Sequence, residues 1–110
     1  MIIDCHTHVG KMLNFEMTVE TLLESMDKYS IDFSLVSSIE GTEFDHEKRP
    51  LPQELQVSQI QYNRSLLDVV RKHKNRLGAL IWVKPYNEMI TPEFENLIND
   101  NIDIIYGIKF

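Results

Sequence analysis

Four short apolar runs, spaced by amphipathic stretches, constrain this chain most. They cover residues 2–6, 33–39, 77–83 and 104–110. Each has the length of a strand and is rich in isoleucine, leucine or valine. None simply alternates with polar residues, which is the pattern of strands buried on both faces. The stretches between them read as helices. After Thr18, a plausible N-cap, Val19, Leu22, Leu23, Met26 and Tyr29 fall on one helical face. A long second helix is expected over 53–73, with Leu66, Leu67, Val70 and His73 on one side. Its last turn carries Arg71, Lys72 and Lys74, which suits the negative end of the helix dipole. Thr91-Pro92 starts a third helix, with Phe94, Leu97 and Ile98 as its apolar stripe. Residues 10–17 and 41–52 are expected as loops. The order β-α-β-α-β-α-β implies an α/β fold with a parallel sheet covered by helices, in a single domain over 1–110.

The residues that carry chemistry are Asp4, His6 and His8, within Ile3-Asp4-Cys5-His6-Thr7-His8. Side chains alternate along a strand, so regular geometry puts all three on one face, with the imidazoles about 7 Å apart along the chain. Two neutral imidazoles converging from one strand can share a divalent ion. Sites in parallel α/β folds gather at the C-terminal ends of strands, where this pair lies. The structural alternative is two unrelated polar residues where a strand meets its loop, since two ligands alone do not complete a site. Cys5, between Asp4 and His6, is expected to face the helices as a small buried hydrophobe.

Charge narrows the partners. Eleven Lys and Arg against seventeen Asp and Glu give a formal net charge of −6, which disfavours nucleic acid and anionic membrane surfaces. No apolar run approaches the roughly 18 residues needed to span a bilayer, and no basic region followed by a long apolar segment marks a signal peptide. A single cysteine excludes an internal disulfide and suits a reducing cytoplasm.

Asp-x-His-x-His at the end of a first strand resembles the metal-dependent amidohydrolase superfamily. More narrowly, the chain resembles the branch of TIM-barrel hydrolases and decarboxylases with a terminal Gly-Ile-Lys strand. Residues 63–76 resemble that branch's second helix, 77–85 its third strand, and Tyr106-Gly107-Ile108-Lys109-Phe110 its fourth. The resemblance implies about four strands and three helices, half of a (βα)8 TIM barrel. It implies a divalent metal, most often Zn, held in part by His6 and His8, and a metal-activated water acting on a small-molecule substrate. Lys109 stands where some members carry a metal-bridging, carboxylated lysine, which makes it the candidate catalytic residue.

A full barrel takes about 250 residues. The family's histidines on the fifth and sixth strands and its aspartate on the eighth have no counterpart here, so the chain reads as an N-terminal half. Whether it is an enzyme by itself is left open, leaning to a hydrolase by resemblance. Bare parallel edges at the first and fourth strands predict a homo-oligomer. The alternatives are a metal-dependent phosphoesterase whose N-terminus also reads Asp-x-His-x-His, and a non-catalytic metal-binding half barrel. Around the site, His46 is expected as a solvated loop residue and His73 at a helix end. Trp82, Lys84 and Tyr86 lie near the active end, where Lys84 or Tyr86 is in reach of an anionic substrate group. Glu40, Glu43 and Asp45 form a solvated acidic stretch.

Overall fold

In a computed structural model describing residues 1–85 and 87–110, the chain forms one five-stranded sheet with three α-helices. The strands are β1 (Ile3–Met12), β2 (Phe15–Met17), β3 (Phe33–Ser38), β4 (Leu77–Trp82) and β5 (Ile105–Lys109). The helices are α1 (Val19–Lys28), α2 (Gln59–Lys72) and α3 (Pro92–Asp100). The sheet order is β2-β1-β3-β4-β5. The contacts β1–β3, β3–β4 and β4–β5 are parallel, and β1–β2 is antiparallel. The four expected strands are thus present and parallel, with one helix between each consecutive pair.

Each helix begins at a side-chain cap. Thr18 accepts from the Thr21 amide, Ser58 from Gln61 and Thr91 from Phe94, which satisfies an amide left unpaired at each helix start. The second helix is shorter than the 53–73 expected. Only residues 53–55 of its first part form a turn of 3-10 helix, and α2 starts at Gln59 behind Ser58.

Consecutive strands lie side by side, so all three helices fall on the same face. Leu22 and Met26 of α1, Leu66, Leu67 and Val70 of α2, and Phe94 of α3 pack with Val9, Val36, Ala79 and Ile81 of the sheet. A sheet wound in both directions would divide its helices between two faces. One covered face is the arrangement of a barrel wall. Ile3, Phe33, Leu35, Leu80, Trp82 and Tyr106 belong to the opposite, uncovered face, with Ile3 51% and Tyr106 60% exposed.

Two expectations about the first segment change. Residues 10–17 are not a loop: Gly10–Met12 pairs with Phe15–Met17 in a hairpin around Leu13 and Asn14. Asp4 does not share a face with His8. Asp4 lies beside Ser34, whereas Thr7 lies beside Val36 and His8 beside Ser37. Four steps on β1 thus match three on β3. The extra residue is a β-bulge, and it turns His8 to the opposite face from Asp4. Cys5 lies in the bulge and is exposed rather than packed under the helices.

Candidate metal centre

The bulge is held by Asp4, whose carboxylate accepts a 3.0 Å hydrogen bond from the His6 amide. Short acidic side chains favour such bonds to the backbone two residues on. Asp4 therefore supports the site's backbone and does not line the site. Beyond the bulge, His6 and His8 meet at their outer nitrogens, with Nε2 atoms 3.1 Å apart and rings edge to face.

His8 is also held from behind. Its Nδ1 lies 3.0 Å from the hydroxyl of Ser37, a buried residue on the neighbouring β3. That leaves Nε2 as the nitrogen His8 presents. Burial, then the positive charge of Lys109, then His6 push His8 down to about 4, with only the Ser37 contact raising it. At neutral pH His8 is therefore an uncharged imidazole, the form that binds metal.

Lys109, at the end of β5, brings its Nζ to 3.4 Å from His6 Nε2 and 4.2 Å from the centre of the Trp82 ring. Burial holds its ammonium below the usual lysine range. Trp82, at the end of β4, lies 5.9 Å from the His8 ring, and Phe15, on β2, lies 6.4 Å from it on centroids. Trp82 is seated by a glycine: a Cβ on Gly41 would come within 2.6 Å of its ring. The end of the β3-paired part of β1, the ends of β4 and β5, and the hairpin thus converge on one mouth.

The nitrogens suit a metal. Two ligands at 2.0–2.1 Å from one tetrahedral ion lie about 3.3 Å apart, close to the 3.1 Å observed. The Ser37 contact is the kind of outer support that fixes the tautomer of a ligating histidine. Among the described residues, no group of three or more His, Cys, Asp or Glu side chains converges in a metal-ligating cluster. The pair supplies part of a coordination sphere.

The other sequence candidates separate. Lys84 is buried and donates to the Val57 carbonyl at 2.8 Å, so it holds the loop before α2 and does not face the mouth. Tyr86 lies outside the described residues. His46 is exposed beside a small cavity lined by Phe15, Ile39 and Phe44. His73 caps the end of α2. Asp45 is turned into its own loop by bonds from the Glu47 and Arg49 amides. Sequence reasoning missed Ser37 and Phe15. The β3 register identifies Ser37, and only the hairpin identifies Phe15.

No family model matches this chain, and no curated protein does. Among solved structures it is similar to a probable 2-pyrone-4,6-dicarboxylic acid hydrolase from Acinetobacter baumannii, determined with citric acid bound. The two are 18% identical with a TM-score of 0.60, over 99% of this chain and 37% of that one. The likeness establishes the fold, a mostly parallel α/β sheet consistent with half of a TIM barrel. No helix among the described residues is long and apolar enough to cross a membrane.

Proposed function

We propose that His6 and His8 hold a divalent metal ion, zinc in the first instance, in a hydrolytic site for a small carboxylate-bearing molecule. The observation that carries this reading is the pair of outer nitrogens 3.1 Å apart, with His8 oriented from behind by Ser37. When bound there, such an ion supplies Lewis-acid polarisation of a carbonyl and lowers the pKa of water toward neutrality.

The chain's own residues do the rest. Ser37 keeps His8 in one tautomer. Lys109 presents its ammonium at the mouth, where it pairs with an anionic group of the substrate. Trp82 and Phe15 flank the imidazole and keep bulk water from that side, which strengthens charge interactions at the mouth. The similar solved structure, a probable dicarboxylic acid hydrolase with citric acid bound, supports the substrate class. A second reading is metal binding without turnover, favoured by the lack of a third metal-ligating side chain among the described residues.

One experiment addresses both readings. The chain is equilibrated with zinc, its affinity is measured by competition with a chromogenic chelator, and hydrolysis of small lactone and ester carboxylates is followed. Stoichiometric zinc with turnover, both lost in His6→Ala and His8→Ala, is the expected result. Zinc binding without turnover selects the second reading. Equal zinc affinity in wild type and variants contradicts both.

A further inference from the structure

We propose that the cleft between the β1–β2 hairpin and the loop after β3 is a subsite for one apolar ring of the substrate. The molecule it fits is a carboxylate whose other end is a phenyl group or an alicyclic ring of similar size. The inference rests on the hydrolytic reading above, which it narrows, while the cleft itself is built within residues 12–46.

Two separate segments make the walls. The hairpin contributes Met12, Leu13 and Phe15, and the stretch after β3 contributes Ile39 and Phe44. The cleft holds about 130 Å³. A cavity of roughly 150 Å³ with a similar Leu, Ile and Phe lining accommodates benzene. Met12 is buried, whereas Leu13, Phe15 and Phe44 are 41%, 36% and 54% exposed. Three large apolar side chains thus stand in solvent around one recess.

Both segments are held by backbone bonds. Gly10–Met12 pairs with Phe15–Met17. Phe44 pairs with Pro50, and beside it the Leu51 amide donates to the Glu43 carbonyl at 2.9 Å. Walls ordered in advance lose little conformational freedom when a ligand enters. The charge in the cleft is also answered. Asp45, the one carboxylate among its described lining residues, accepts from the Glu47 and Arg49 amides and from the Arg49 side chain. An apolar group entering the cleft therefore strips no unpaired carboxylate of water.

Position links the cleft to the imidazoles. Phe15 lines it and also stands edge to face against His8, with 6.4 Å between ring centres. Along the mouth, Lys109 neighbours His6, His6 neighbours His8, and His8 neighbours Phe15. A carboxylate at Lys109 and a ring beyond Phe15 set the atoms between them at the imidazole pair.

The test follows amide chemical shifts of the full 110-residue chain by heteronuclear NMR. Phenylacetate is titrated against acetate, each in EDTA and with zinc. Phenylacetate should shift the amides of residues 12–15 and 39–46 in both conditions, and acetate should not. With zinc, phenylacetate should bind about tenfold tighter than acetate or better, because its ring leaves water. Thr42→Phe fills the cleft, and Phe44→Ser removes an exposed wall without opening the core. Each should abolish most of the preference while wild-type zinc uptake persists. Equal affinities for the two carboxylates, shifts confined to other residues, or a preference unchanged in both variants overturns the proposal. Ring binding in the cleft of a chain that takes up no zinc supports the subsite and overturns the metal reading. Zinc uptake with no preference for the ring does the reverse.

Discussion

Ser37 decides which nitrogen of His8 faces the mouth, and it does so with one 3.0 Å contact from a neighbouring strand. Removing such outer support usually costs 10–100-fold in metal affinity. Ser37→Ala is therefore expected to weaken zinc binding at least tenfold in chelator competition, with the fold unchanged by circular dichroism. His8 also makes the chain sensitive to acid. It is held at about 4 in the folded chain, against an ordinary value of 6.5. Above pH 6.5 it is neutral in both the folded and unfolded states and has no effect on stability. As pH falls from 6.5 through 4, the unfolded chain takes up a proton that the folded chain resists. Stability then drops, by on the order of 2 kcal/mol given the partial exposure of His8. Chemical denaturation of the metal-free chain at pH 7 and pH 4 measures this, and His8→Phe should shrink the difference, leaving the part that carboxylates such as Asp45 and Asp103 contribute. His6 and His8 were legible from their two-residue spacing. The loss of Asp4 from their face was not, because it turns on a bond from the Asp4 carboxylate to the His6 amide that alternation does not encode.

At the scale of elements, α2 is fastened to the mouth-forming end of β4 by two side chains. Asn63 donates to the Trp82 carbonyl and accepts from the Trp82 amide, and Tyr62 donates to the same carbonyl. Asn63 is fully buried, so Asn63→Leu leaves backbone groups of Trp82 underpaired in the interior. That should cost about 1–3 kcal/mol in urea unfolding. It should also red-shift Trp82 emission, which a surface control such as Glu24→Gln leaves in place, because it loosens the strand that carries the ring and lets water reach it. The hairpin makes a second prediction. Leu13 sits at a φ of +54°, a conformation disfavoured for side chains other than glycine and, to a lesser degree, asparagine. Leu13→Asn should raise the Tm by about 2–4 °C. The same residue explains why residues 10–17 read as a loop. A Leu-Asn pair carries none of the Asn-Gly or Asp-Gly signal that marks a two-residue hairpin turn. Phe15, which that hairpin places beside His8, was hidden with it. The parallel strands and the first and third helices were legible because each rests on local signals: apolar runs for the strands, and Thr18 and Thr91 as caps. Ser58, the cap of α2, was not read as one, so that helix was expected to start six residues too early.

For the whole molecule, one-sided burial is the governing fact. The helices cover one face of the sheet, and the other presents Ile3, Tyr106 and the flanks of Phe33, Leu80 and Trp82 to solvent. Element order pointed to a parallel sheet with helices, and the resemblance carried by Asp4, His6, His8 and the Gly107-Ile108-Lys109 strand pointed to half of a barrel with two bare edges. Neither showed that β2 shortens the open part of one edge to residues 3–9. The central claim remains the imidazole pair at the mouth. Native mass spectrometry after equilibration with zinc tests it most directly. The account predicts zinc retained by the wild-type chain and lost from both His6→Ala and His8→Ala. A wild-type chain that stays metal-free, or variants that keep the same zinc, would contradict it.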